Sequence, residues 1–179
     1  MDNMTLALLD KGILTIASKI EESVYNTICD EIAYLESRGS PDIEVRIYSI
    51  GGDARIGLCI YDVLKKYTGK VTGIVYRTAQ SMAAIILQAC DVRICLPHAR
   101  ILIHSIRTDG ITFDELQSEK ALRREIAYSK GLQKACIAIL KKSTSQKKKA
   151  IRKQLKKDRL MSAKQALEFG LVDEIWATN

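Results

Sequence analysis

The sequence predicts an α/β fold, and three of its features carry that expectation. Short apolar or alternating segments recur at 13–17, 43–48, 71–76, 92–96, 100–104 and 171–176. Most of the stretches between them place apolar residues at three- and four-residue spacing, as helices packed on a sheet do. With 47% hydrophobic and 27% charged residues, and only 10 Gly and 2 Pro, the composition is that of a chain that buries a core. Its 179 residues suit one domain, and no linker or low-complexity stretch divides residues 1–179. Strand alternating with helix from end to end points to a layered α/β architecture.

Taken in order, 13–17 is a strand, and 22–37 a helix with Val24, Ile28, Ile32 and Leu35 on one side. Gly39-Ser40-Pro41-Asp42 supplies strong turn chemistry before 43–48, where Ile43, Val45 and Ile47 alternate with Glu44, Arg46 and Tyr48. Gly51-Gly52 breaks that strand, and Ile56, Cys59, Ile60, Val63, Leu64 and Tyr67 mark a helix over 53–67. A strand at 71–76 leads through an irregular turn, 77–80, into a helix over 81–90 that is apolar nearly all round and therefore buried. Strands follow at 92–96 and 100–104. A long amphipathic helix then runs from Thr112 or Asp114, both acceptable N-caps, toward Leu140, with Gly131 a point of interruption. Ser162 caps a short helix over 163–169, Gly170 ends it, and 171–176 is the last strand.

The net charge of +7 is concentrated rather than spread. Residues 1–140 are neutral overall, whereas 141–157 hold nine Lys or Arg and no acid. Ile151 and Leu155 sit four apart in this run, and no aromatic residue interleaves with the charges for base stacking. The segment thus reads as a solvated helix face rather than a nucleic-acid surface. Five scattered cysteines, Cys29, Cys59, Cys90, Cys95 and Cys136, form no CxxC pair and no disulfide framework, and suit reduced thiols in the cytoplasm. Cys90 and Cys95 lack histidines at ligand spacing, so neither a metal nor another cofactor is expected. The apolar runs fall far short of the roughly 20 residues that span a bilayer. The first residues, Met1-Asp2-Asn3-Met4, do not read as a secretory signal.

Two residues stand out chemically. Ser81 follows a strand and opens the buried helix, where developing negative charge is favoured, and His104 ends an apolar strand. The other histidine, His98, lies beside Pro97 in a turn, where a solvated imidazole needs no special explanation. On residue chemistry alone, Ser81 is read more simply as an N-cap and His104 as a core histidine.

Five motifs change that weighting. They are Tyr48-Ser49-Ile50-Gly51-Gly52, Ile60-Tyr61-Asp62, Thr78-Ala79-Gln80-Ser81-Met82-Ala83-Ala84, Cys95-Leu96-Pro97-His98-Ala99-Arg100 with Ile103-His104, and Lys157-Asp158-Arg159-Leu160-Met161-Ser162-Ala163 running on to Glu168-Phe169-Gly170-Leu171-Val172-Asp173. In order and spacing they resemble the successive motifs of the ClpP family, the proteolytic subunit of the ATP-dependent Clp protease, over roughly residues 8–176. The resemblance implies a ClpP/crotonase-like spiral of repeated ββα units forming a single peptidase domain over 1–179. It also implies a serine endopeptidase that cleaves peptides or unfolded proteins inside a homo-oligomeric chamber. Carried over residue by residue, Ser81 would be the nucleophile, His104 the base and Asp158 the acid of a catalytic triad, and the N–H groups of Gly52 and Met82 the oxyanion hole.

The chain departs from the family pattern at Ile50, Asp53 and Gln80, and over Ser105-Ile106-Arg107-Thr108-Asp109-Gly110. In the family the strand after the histidine aligns substrate and joins two rings, so the resemblance does not carry ring stacking over to this chain. The short segment before the first strand argues against docking to a Clp-type ATPase. Three other readings compete. A non-catalytic or weakly active ClpP-like partner subunit would keep the fold. A crotonase-like acyl-CoA enzyme would need no Ser-His-Asp set, and nucleic-acid binding would work through 141–157.

Overall fold

A computed structural model of the chain describes residues 3–108, 113 and 117–176. A first helix, α1 (Asn3–Leu9), turns at Gly12 into β1 (Ile13–Ile16). Helix α2 (Glu22–Ser37) follows, then β2 (Ile43–Ser49), α3 (Ala54–Lys66), β3 (Val71–Gln80), α4 (Met82–Leu87), β4 (Val92–Cys95) and β5 (Arg100–Leu102). The chain closes with α5 (Glu119–Thr144), α6 (Lys148–Lys157), β6 (Met161–Ser162), α7 (Ala163–Phe169) and β7 (Glu174–Ile175). The strands form one sheet in the order β1-β2-β3-β4-β7, all parallel, with β5 attached to β3 in parallel and to β6 antiparallel. The predicted α/β class is the observed one.

The strands that carry the core are apolar because both faces of a parallel sheet are covered. Val45, Ile47, Ile74 and Val75 are buried in the sheet, and α2 lays Ile28, Ile32 and Leu35 against the core. Gly39 ends α2 in a left-handed turn, with its own N–H on Glu36 O and the Ser40 N–H on Leu35 O, a Schellman closure that satisfies the last carbonyls. Every residue of α4 is buried, as its all-apolar sequence predicts. Its fit against α3 depends on a glycine. A β-carbon at Gly57 would lie 2.8 Å from Met82 Cβ.

Several boundaries differ from the sequence expectations, and each difference has a long-range cause. The expected turn at 77–80 is strand: β3 runs on to Gln80 because Thr78, Ala79 and Gln80 find a second partner in β5. The strand expected at 100–104 stops at Leu102, and the helix expected at 81–90 spans only Met82–Leu87. The long helix passes Gly131 without a break and extends to Thr144; its expected start at Thr112 or Asp114 lies outside the described residues, and Ser118 caps the observed one through Ala121 N–H. The basic run is split by Ser145 in the left-handed region, and only Ile151, Gln154 and Leu155 of α6 are buried, so its lysines do form a solvated face. Ser162 caps α7 in a reciprocal capping box with Gln165.

The last strand shrinks to Glu174–Ile175 because the residues before it serve another purpose. Arg93, on β4, donates to Asp173 through Nε at 3.0 Å and Nη2 at 2.5 Å, and through Nη1 to Gln88 Oε1 at 2.6 Å and Gly170 O at 2.9 Å. The Arg93 side chain is 10% exposed, so this network ties the chain after α7 to the central sheet with a largely desolvated guanidinium. Partial burial pulls the Asp173 carboxyl upward, yet hydrogen bonds and charge from Arg93 outweigh it and hold the group below its usual range.

Among the described residues no helix is long and apolar enough to cross a membrane. Cys90, Cys95 and Cys136 are buried and Cys29 and Cys59 half-buried, all as free thiols.

Glu31 is the one charged side chain of α2 in the core, 5% exposed, and its Oε2 has no hydrogen-bond partner. Burial pushes its carboxyl up to about 7. A carboxyl raised in the folded state contributes a stability that is complete below its unfolded value near 4.3 and is lost as pH rises through 7. Glu31→Gln is therefore expected to stabilise the protein by about 2–3 kcal/mol at pH 8 and to be nearly neutral at pH 4. Urea denaturation at the two pH values measures the difference.

Candidate active site

The end of β3 is built differently from its beginning. Ile47 pairs with Val75 but Ser49 pairs with Ala79, so β3 carries two extra residues across this interval and bends. Above the bend Thr72–Val75 pair with β4, and below it Thr78–Gln80 pair with β5. The bent strand delivers Ser81 at φ 54° and ψ −122°, with its N–H bonded to Leu102 O at 2.8 Å. Positive φ at a non-glycine residue is uncommon and costs on the order of 1–3 kcal/mol, which only a surrounding structure that over-determines the turn can hold. Ser81 occupies the N-cap position of α4, but its hydroxyl makes no capping bond. The simple N-cap reading of this serine therefore fails, and the oxygen is left for another use.

Gly51 and Gly52 pack against this turn for separate steric reasons. Gly51 has φ +87°, and a β-carbon there would sit 2.6 Å from Ser81 Cβ and 3.0 Å from Met82 N. At Gly52 a β-carbon would lie 2.2 Å from Ile20 O. The bridge between Ile20 and Gly52 is parallel, with Ile20 N–H on Gly51 O at 2.9 Å and Asp53 N–H on Ile20 O at 2.8 Å. That pattern spends the groups on either side of Gly52 and turns its own N–H away from Ile20. Met82 is the first residue of α4, where an N–H has no intrahelical acceptor. Gly52 and Met82 thus each carry an N–H outside the pairing of its neighbours, and both residues line the same cavity as Ser81.

Ser81, His104, Gly52 and Met82 all line one cavity of about 510 Å³, floored by Ile85, Leu132 and Cys136. The sequence expectation brought these four together, and the fold does so too. His104 lies just beyond β5, half-buried, and its Nδ1 is 2.7 Å from the Ser105 carbonyl oxygen. A carbonyl only accepts, so Nδ1 carries the proton and Nε2 of the neutral ring is the acceptor. His98 is exposed in a turn, as expected.

Asp158 ends α6 in the left-handed region, at φ 46° and ψ 47°. It does not line the cavity. Its Oδ2 accepts from Arg107 Nη2 at 2.5 Å. Among the described residues, His104 bonds neither Ser81 nor Asp158: the fold brings Ser81 and His104 to one cavity and leaves Asp158 outside it, paired with Arg107. Arg107 was not singled out by sequence reasoning; the only signal for it was the departure of 105–110 from the family pattern. The thiol on the cavity wall is that of Cys136, which burial pushes up to about 11 and so keeps protonated and inert.

Two departures noted in the sequence have structural roles. Asp53 accepts from Ile56 N–H at 2.8 Å and caps α3, although it also reaches the cavity rim. The Gln80 amide folds back onto Thr78 Oγ1 at 3.0 Å, along its own strand rather than across the serine turn.

A family model described as Clp protease matches residues 1–179, the whole chain. The protein belongs to the Clp protease family. In this Clp family chain the bent β3, the strained serine and the glycine pair occupy the segments whose motifs carried the resemblance. The metal and cofactor question can be put to the same residues: among those described, no group of three or more His, Cys, Asp or Glu is placed to hold a metal ion.

Gly51 is the position where the turn has least tolerance. Gly51→Ala is expected to cost about 2–4 kcal/mol, because it combines a left-handed φ with overlap on Ser81 and the Gln80 carbonyl. A thermal melt of the variant beside Gly39→Ala checks this, since a β-carbon at Gly39 meets nothing within 4 Å although its φ is +89°.

Proposed function

We propose that this Clp family chain is a serine endopeptidase whose nucleophile is Ser81. The observation that carries the reading is the uncapped hydroxyl of Ser81, held at a strained φ of 54° on the wall of a cavity that Gly52, Met82 and His104 also line. Strain of this kind persists where the surroundings enforce it, and it is concentrated at sites that use it.

In the proposed reaction, Ser81 Oγ attacks the scissile carbonyl carbon while His104 Nε2 takes its proton. The carbonyl π electrons move onto oxygen, and the resulting oxyanion is met by the N–H groups of Gly52 and Met82. His104 then gives the proton to the departing amine, leaving an acyl-enzyme on Ser81. Water, deprotonated by His104, attacks the ester and regenerates the serine. Asp158 is the third member, supplying a carboxylate that orients His104 and stabilises the imidazolium formed in both halves. Hydrogen bonds of this kind are often long or absent before substrate binds and tighten in the complex. The family supports the remaining features of the proposal: a single peptidase domain, peptides or unfolded proteins as substrates, a homo-oligomeric chamber, and action in the cytoplasm.

A second reading, a ClpP-like partner subunit with little or no activity of its own, is favoured by one observation, the diversion of Asp158 to Arg107. Labelling with a fluorophosphonate, which reacts with an activated serine without needing a peptide to be delivered, separates the two. The wild type is expected to be labelled at Ser81, with Ser81→Ala abolishing the label and His104→Ala slowing it on the order of 100-fold or more. An assembled, unlabelled wild type establishes the inactive-subunit reading. Label that persists in Ser81→Ala places the nucleophile elsewhere.

A further inference from the structure

The register of β5 and β6 contains more than the two pairs it forms. Arg100 faces Ser162 and Ile101 faces Met161, antiparallel. Continued three residues past the second pair, the same register sets His104 opposite Asp158. The pairing itself stops at Ile101 and Met161, so the register only directs the segment that carries Asp158 toward the end of β5 that carries His104, and neither side chain bonds the other. Asp158 Oδ2 is taken by Arg107 Nη2 at 2.5 Å, and His104 Nδ1–H by the Ser105 carbonyl at 2.7 Å.

From this arrangement we infer that Arg107 is a positioning residue that withholds Asp158 from His104, so that the site alternates between a Ser81–His104 pair steered by the Ser105 carbonyl and a complete triad. The inference rests on the peptidase reading for its kinetic consequence but not for its geometry. A guanidinium is ionised at any working pH and offers a charged donor, so it outcompetes a neutral imidazole N–H for the carboxylate. The balance changes once His104 takes the serine proton, because an imidazolium is stabilised far better by a carboxylate than by a carbonyl. Arg107 thus disfavours the partner that the transition state needs.

The hold is a weak one. The side chains of Arg107 and Asp158 are 63% and 46% exposed, and ion pairs this open to water bind only modestly. Asp158 itself is fixed from the other direction by its left-handed backbone at the end of α6, a conformation that Asp and Asn both tolerate. Arg107 also lines the cavity, so a bound substrate contacts the same residue that restrains the acid.

The test is a double-mutant cycle on the full chain. Arg107→Gln keeps a polar side chain and removes the charge, and it is expected to speed fluorophosphonate labelling of Ser81 about five-fold, the range set by an exposed ion pair. In the presence of Asp158→Asn the same change is expected to do nothing, because the acceleration acts through the carboxylate. Equal factors in both backgrounds, or no acceleration in either, overturn the inference and leave the peptidase reading standing.

A second readout does not depend on activity. With 15N-labelled histidine, of which the chain has two, the His104 Nδ1–H signal is expected to shift on Arg107→Gln and to return on adding Asp158→Asn. A signal that stays put in Arg107→Gln refutes the assignment even if the rates change. If no variant is labelled, the peptidase reading falls while this signal still decides what Arg107 does.

Discussion

The constraint on which the rest of the site depends is the bend in β3. A strand that paired with one neighbour along its whole length would end flat against the sheet. Two extra residues between the Val75 and Ala79 pairings break that, and β3 leaves β4 to take β5 as its partner. The cost of the resulting turn falls on Ser81, whose backbone is strained and whose N–H is pinned to Leu102. The same pairing that pins the serine brings β5, and with it His104, alongside. Glycines at 51 and 57 are needed because the turn and the helix it opens leave no room for a β-carbon on either flank.

The second layer of control comes from the end of the chain. Residues after α5 return to the sheet through β6 and β7, and Arg93 locks that return by gathering Asp173, Gln88 and the Gly170 carbonyl around one guanidinium. Asp158 is placed by this returning segment, not by the core that places Ser81 and His104. Ser81 is fixed by the buried strand pairing and His104 follows directly on β5, whereas Asp158 stands on an exposed helix end beside Arg107. The contrast between Arg93 and Arg107 makes the point: one pair is largely desolvated and structural, the other open to water and exchangeable.

Some of this was legible in the residues before any fold was known. The alternation of Ile43, Val45 and Ile47, the all-apolar run from Met82 to Leu87, and the cap and stop signals at Ser162 and Gly170 each encode a local structure whose cause is local, and those elements appear where the pattern puts them. The basic run was also read correctly as a solvated face, because Ile151 and Leu155 alone define its buried side. What misled was any segment whose conformation depends on a distant partner. Arg77–Gln80 contains nothing that distinguishes strand from turn until β5 is beside it, and Leu171–Val172 were apolar because they are buried under the Arg93 network rather than because they pair in a sheet.

By itself, then, the sequence determined the α/β class and, through ordered motifs, the family. These follow from periodicity and residue type, which are properties of neighbours along the chain. The tertiary structure alone decided that Ser81 is strained and uncapped, that Gly52, Met82 and His104 line one cavity with it, and that Asp158 is held by Arg107. Those are relations between residues far apart in sequence, set by strand register and by competition among charges, and no spacing along the chain encodes which of two available donors a carboxylate will take.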